Sequence, residues 1–506
     1  MKPFTPALLG AAILAALPRI TIAQNDSGGN ALTIYSNARP GAISPELYRG
    51  GGHGQPVPGY AVVRQQRELA LNRGRNTVRF TDVAGLIDPT TVSFQSLTDP
   101  AGTSVIEQNF QFDLVNTKKL LQKYVDRRIS VDQVRGNGTE SFAGTLLSTN
   151  DDGLVLKRDD GIIQTLPYNA GVRLPELPGG LITRPTLVWD VNANRAGTHN
   201  AQVSYQTTGI TWWTDYNVTY REGANANSCT LDVAAWVSII NQSGASYPDA
   251  KLKLVAGDVQ RAQPQGRVYA APAAQRAMAS EMSARGFEEK AFFEYHLYTL
   301  GRPTTLPDNS TKQIELFPAA RAVPCEKNLV YYGAANARPY GSPATDRNYG
   351  VQSNKKVDVY LGFKNAKEQN MGMPLPAGRI RVSKLDDADK TLEFIGEDVI
   401  DHTARNEQLL IKLGSAFDVV GERRQVNFSV DTSRKTMTEE IEVKLRNQKK
   451  ESVNVMVKEN LYRWSNWQIT GKSHDYRKDD ARTVTFPVKI AAGAEAVVRY
   501  SVTYTW

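Results

Sequence analysis

The chain ends in AVVRYSVTYTW, residues 496–506, and the reading of this stretch decides the fold. Val498, Tyr500, Val502, Tyr504 and Trp506 fall on every second position, with Arg499, Ser501, Thr503 and Thr505 between them. A strand sends successive side chains to opposite faces, so the segment has one apolar, aromatic face and one polar face. Two architectures end this way: an outer-membrane β-barrel, whose last strand carries a terminal aromatic, and a β-sandwich closed by its final strand. A barrel wall needs strands of about ten residues that alternate throughout, with a lipid-facing band free of charge. KKVDVYLGFKN (355–365) and SVNVMVKENLYR (452–463) have shorter apolar faces with charge close on both sides. The sandwich is the expected reading and the outer-membrane barrel its alternative.

Working back from the tail, the same grammar runs to about His199. AQVSYQTTGITWWTDYNVTY (201–220), CTLDVAAWVSIIN (229–241) and EEIEVKLRN (439–447) all alternate. In the last of these Ile441, Val443 and Leu445 share one face while Glu440, Glu442, Lys444 and Arg446 share the other. Such strands bury one side and wet the other, as antiparallel sandwiches do. Residues 199–506 are expected to form a β-sandwich region. Two interruptions read as excursions: the Ala-, Gln- and Arg-rich stretch 261–286 and the loop GAANARPYGSPATDRNYG (333–350). Both are places for proteolysis or partner docking.

Upstream, YAVVRQQRELAL (60–71) and NTVRF (76–80), broken by NRGRN, GLIDP and TDPAG, predict a small β-domain over 24–112. FDLVNTKKLLQKYVDRR (112–128) puts Leu114, Lys118, Leu121 and Val125 at helical spacing. Four short runs follow, ISVDQV, SFAGTLLST, DGLVLKR and GIIQTLP, joined by RGNGTE, NDDG and DDG. Asp-Gly between apolar runs is a hairpin signal, because Gly supplies the positive φ of a tight turn. A helix leading into such a meander predicts a small SH3-like or Sm-like barrel, which with an extended linker fills 113–198. The segment lacks a basic stripe with interleaved stacking aromatics, so no nucleic acid is expected as partner. The whole is mainly β and multidomain.

The N-terminus sets the compartment. MKPFTPALLGAAILAALPRITIAQ opens with Lys2, runs apolar from Ala7 to Leu17 and reaches Thr21-Ile22-Ala23. That is the layout of a secretory signal peptide, residues 1–23, with a cut expected between Ala23 and Gln24. The apolar run is too short to span a bilayer. The formal net charge of +8 falls to +6 once Lys2 and Arg19 leave, and acidic and basic residues are interspersed along the chain. A mixed solvated surface follows, with weak attraction to anionic envelope surfaces and so peripheral membrane association as an option. Cys229 and Cys325 are the only cysteines. In an oxidising compartment the pair is expected to form a disulfide, and its spacing matches neither a zinc site nor a CxxC redox motif.

TGITWWTDYNVTY, WVSIINQSGASYPDAKLKLVAGDV, FFEYHLYTLGRPTTLPDNSTKQIELF, PLPAGRIRVSK, FIGEDVIDHT and LGSAFDVVGERR occur in this order between Tyr205 and Trp506. This run resembles the bacterial family called domain of unknown function 4139, found also in proteins named mucoidy inhibitors. YAVVRQQRELALNRGRNTVRFTDVAGLIDP (60–89) is similar to the module that often precedes that domain. Mucoidy-inhibitor relatives carry a long coiled coil between the two, and here the helix and meander take its place. The resemblance implies a β-sandwich without an agreed activity.

Chemistry is sparse. His53, His199, His296, His402 and His474 are dispersed, and neither GxSxG, HExxH nor a phosphate-binding loop occurs. The densest polar group is GEDVIDHTARNE, with Glu397, Asp398, Asp401 and His402. Carboxylates beside an imidazole are candidate ligands for a divalent cation, which makes a metal-dependent hydrolase the rival reading. A polar turn between strands is the plainer one. LDDADK (385–390) lacks the Gly and closing Glu of a calcium loop and reads as a hairpin turn. Tyr295 and Tyr298 fit sheet core or an aromatic contact surface, and Trp212 and Trp213 would point to opposite faces of one strand, leaving one as a surface contact. No catalytic residue and no cofactor is assigned. The expectation is an exported protein of a Gram-negative envelope, periplasmic, outer-membrane-associated or secreted. Its expected role is a non-catalytic structural or interaction module with an envelope protein or glycan as partner.

Overall fold

The structure is a computed structural model that describes residues 20–22, 29–36, 41, 43–48, 56–135, 138–150, 153–167, 171–176, 178–257, 259, 287–334 and 341–506. The expected signal peptide lies outside these except for Ile20–Ile22, a short strand paired in parallel with Gly74–Thr81. A cut after Ala23 therefore removes that strand from the sheet. His53 and the stretch 261–286 also lie outside the described residues.

The fold is mainly β, in four sheets, and among the described residues none closes into a barrel. No helix there is long and apolar enough to cross a membrane. Strand Tyr60–Leu71 buries its odd positions, Ala61, Val63, Gln65, Arg67, Leu69 and Leu71, on one face of an eight-stranded sheet. One end of that face packs on a four-stranded sheet, where Trp189 lies between Phe80 and Phe94 with ring centroids 5.4 and 5.3 Å away. The other end packs on a thirteen-stranded sheet through Trp212 and Tyr298, 6.3 Å apart. A single apolar core runs through all three sheets, from Leu32 to Ile411.

The helix-and-meander block sits between two strands, Thr103–Gln111 and Thr186–Ala193, that pair with each other. Its entry and exit are zipped together: Val115 N–H donates to Ile182 O at 2.9 Å, and Ile182 N–H to Asp113 O at 3.1 Å. The helix spans Thr117–Lys123, starting after Leu114 because Asn116 caps it by accepting from Lys119 N–H at 2.9 Å. The expected small barrel is an open five-stranded sheet, ordered 163–166, 153–158, 138–150, 128–135, 171–173. Its two outer strands do not pair, so the sheet curls around its own core of Leu121, Tyr124, Val131, Phe142 and Leu156 without closing.

The quoted tail is strand Glu495–Thr505, held between Thr436–Asn447 and Trp467–Lys472. Val498, Tyr500, Val502 and Tyr504 are buried in a second core with Ile441, Val443, Val455 and Phe486. It is the interior strand of a sandwich layer. Two long strands, Ser310–Tyr332 and Gln408–Asp431, run through both cores. Val323 and Cys325 lie in the first core while Leu329 and Tyr331 lie in the second. In the first half the sheet curls until its edge strand Leu392–Ile400 faces Gln408–Asp431, where the Asp398 carboxylate accepts from Lys412 N–H at 2.7 Å. Cys229 and Cys325 are directly opposed across antiparallel strands and form the expected disulfide.

Candidate functional site

Glu397, Asp398, Asp401 and His402 do not converge. Glu397 and Asp398 are neighbours on a strand and point to opposite faces; Glu397 reaches Arg381 at 3.5 Å. Asp398 accepts from Val399 and Lys412 N–H groups, and Asp401 accepts from His402 N–H at 2.8 Å. His402 Nδ1 accepts from Ala377 N–H at 3.0 Å, which fixes its tautomer with the proton on Nε2. Glu397 pairs with an arginine while the other three bond to backbone N–H groups, and no three His, Cys, Asp or Glu among the described residues are grouped to hold a metal ion. LDDADK is a hairpin turn, with Leu385 opposite Leu392.

Trp212 and Trp213 do point opposite ways, but neither is an open contact. Trp212 is a core residue, and Trp213 packs against Ile43, Leu47, Val57 and Tyr48 while its Nε1–H donates to Asp215 at 2.8 Å. Tyr298, read as sheet core or a contact surface, takes the core option: it is buried and donates to Pro374 O at 2.9 Å. Residues 43–57 cover Trp213, and the eight-stranded sheet covers Trp212 through Tyr298, faces that the strand pattern alone leaves open.

Tyr295 belongs to an aromatic group that is offered outward, as Phe112 and Phe417 are elsewhere among the described residues. Strand Phe287–Phe292 turns through Phe293 and Glu294 into Tyr295–Leu300 and forms the outermost strand of the eight-stranded sheet. At the tip Phe292 is 53% and Phe293 84% exposed, and Tyr295 lies 6.0 Å from the Phe293 ring. Phe293 has φ +60°, a region that a bulky L-residue rarely adopts and that recurs at functional sites. The hairpin is fastened behind this tip. The Glu289 carboxylate, almost fully buried, accepts from His296 Nδ1 at 2.7 Å and from Arg405 at 2.8 Å. Burial pushes the Glu289 carboxyl up, but His296 and then Arg405 outweigh it, so the group titrates below the usual range.

A second polar group lies inside the second core. Arg423 and Glu459 pair at 2.8 Å, and Arg463 and Glu439 at 3.1 Å, all with side chains at most 1% exposed. Tyr500 donates to Glu459 at 2.5 Å, and burial raises its pKa well above the ordinary phenol value. Arg463 also donates to the carbonyls of Ala344, Asp346, Arg347 and Tyr349 and to Gln425 Oε1, at 2.7–3.3 Å. The side chains of this loop are largely exposed, as expected for 341–350, while its carbonyls are gathered onto one buried guanidinium. Gly350, φ +73°, lies against the Tyr462 ring where no Cβ fits. The sequence carried a signal for this group: Arg423, Glu439 and Glu459 occupy inward positions of strands whose inward faces are otherwise largely apolar.

No protein-family model matches the chain, and no curated protein is significantly similar to it.

Proposed function

We propose that the protein is an exported, non-catalytic interaction module of the bacterial envelope, which receives an extended segment of a partner protein along the hairpin 287–300. The observation that carries this reading is the pair Phe292 and Phe293 at the tip of an outermost strand. Among the described residues this strand pairs on one side alone, and β-strand addition uses the backbone groups of such an edge for affinity and side-chain pockets for specificity. Aromatic anchors beside that edge are the residue types that dominate interface energetics. The Glu289–His296–Arg405 cluster supports the reading because it holds the hairpin in place before a partner arrives. Export rests on the signal-like first 23 residues and is compatible with the disulfide. The resemblance to domain of unknown function 4139 is part of the same proposal.

A photo-reactive phenylalanine analogue placed at Phe293 is expected to capture a discrete envelope protein. Capture should be lost when unlabelled wild type competes and retained when an F292S/F293S variant competes. Equal capture by the same probe at Glu422, on a charged sheet face, would count against the hairpin as the docking edge.

A further inference from the structure

The seam between the two cores holds a cavity of about 230 Å³. Along Ser310–Tyr332 the inward positions read Val323, Cys325, Lys327, Leu329, Tyr331, so one lysine stands between two apolar cores. That lysine lines the cavity. Val359, Leu361, Ile395 and Leu413 supply its apolar wall, and Tyr220 and Glu222 also line it. Small-molecule sites favour junctions of this kind, apolar with a few convergent polar groups.

The charge arrangement selects the ligand. Glu222 is engaged by Lys384 at 2.7 Å, which holds its carboxyl below the usual range. Lys327 is half-buried and makes no ion pair among the described residues; Lys449 and Lys384 lie near enough to act on it, opposed by Glu451 and Glu222. Burial, then the charge of Lys449, draws the Lys327 pKa down, the expected response of an ammonium short of counter-charge. An anion beside it would supply that charge, and an aliphatic chain would cover the apolar wall.

We propose that this cavity binds a small amphiphile with a carboxylate head, its head on Lys327 and its chain against Val359, Leu361, Ile395 and Leu413. The volume lies just under the range of roughly 300–1,000 Å³ typical of ligand pockets, so the chain is of medium length. The site is separate from the hairpin 287–300 and stands without it.

Calorimetric titration of the full chain with octanoate, below its micellar concentration at neutral pH, tests this. Saturable binding of one octanoate is expected, weakened roughly tenfold or more in K327Q, as loss of a charge-assisted contact implies. K327R should restore most of it. Octanol, with the chain and no charge, and acetate, with the charge and no chain, should each bind at least roughly tenfold more weakly than octanoate. I395W, which fills the cavity, should abolish binding while its thermal transition stays cooperative, and thermal scans of every variant separate lost binding from lost folding. Absence of saturable octanoate binding, octanol or acetate as tight as octanoate, or a folded K327Q that binds unchanged would each overturn the proposal.

Discussion

A charged pair with no water around it is stable only while both partners remain. Removing one side of such a pair strands the other, whereas replacing both with apolar groups is often neutral. Arg423 and Glu459 sit in that position, with Tyr500 as a third partner. Glu459→Gln is therefore expected to cost about 3–5 kcal/mol, because the Arg423 guanidinium stays charged and buried. The double replacement Arg423→Met with Glu459→Leu should cost clearly less than E459Q alone. Urea unfolding midpoints of the three proteins measure this, and a double variant as unstable as E459Q would refute the stranded-charge account. Arg463 carries a further duty, since its contacts with four carbonyls hold the loop 344–349 to the end of the second sandwich.

Among the elements, the inserted helix and meander show how a compact unit can sit inside a hairpin of larger strands. Its core residues Leu121, Tyr124, Phe142 and Leu156 form a cluster distinct from the two large ones, and its two chain ends meet at Asp113–Val115 and Ile182. Replacing residues 116–181 with a short Gly-Ser turn should leave Thr103–Gln111 paired with Thr186–Ala193. The shortened protein is expected to keep its near-ultraviolet circular dichroism and a cooperative thermal transition. A molten product would show that the insert supports the sheets around it. This unit was legible in the sequence because its signals are local: apolar spacing in the helix and Asp-Gly turns between short runs. Its failure to close was not legible, since closure depends on whether 163–166 meets 171–173 across the fold. The hairpin 287–300 marks the same limit. Glu289 and Arg405 are 116 positions apart, and nothing in FEEKAFF (287–293) announces that the Glu289 side chain is buried while Phe292 and Phe293 are exposed. The buried charges of the second core were readable in principle, as polar residues at inward parity, but parity counting alone does not reveal which partner each one finds.

At the scale of the whole molecule, the two cores are joined by strands of 23 and 24 residues that belong to both. Unfolding either sandwich alone would strip one half of Ser310–Tyr332 and Gln408–Asp431 of its packing while the other half stayed paired, and the exposed seam would include Val359 and Leu361. That frustrates independent melting, so one calorimetric transition is expected for both cores. The disulfide lies on the first-core side of the seam and closes a loop with a sequence separation of 96. On the chain-entropy estimate its loss removes about 4–5 kcal/mol. The C229S/C325S variant should therefore melt at a lower temperature in a single transition that still includes the second core, reported by the near-ultraviolet signal of Tyr500 and Trp467. Two separated transitions, with only the lower one sensitive to the cysteines, would mean that the shared strands bend without transmitting stability. The cavity at Lys327 would then lie between bodies free to part, and octanoate binding should weaken as the lower transition begins; under the coupled fold, binding persists up to the common melt.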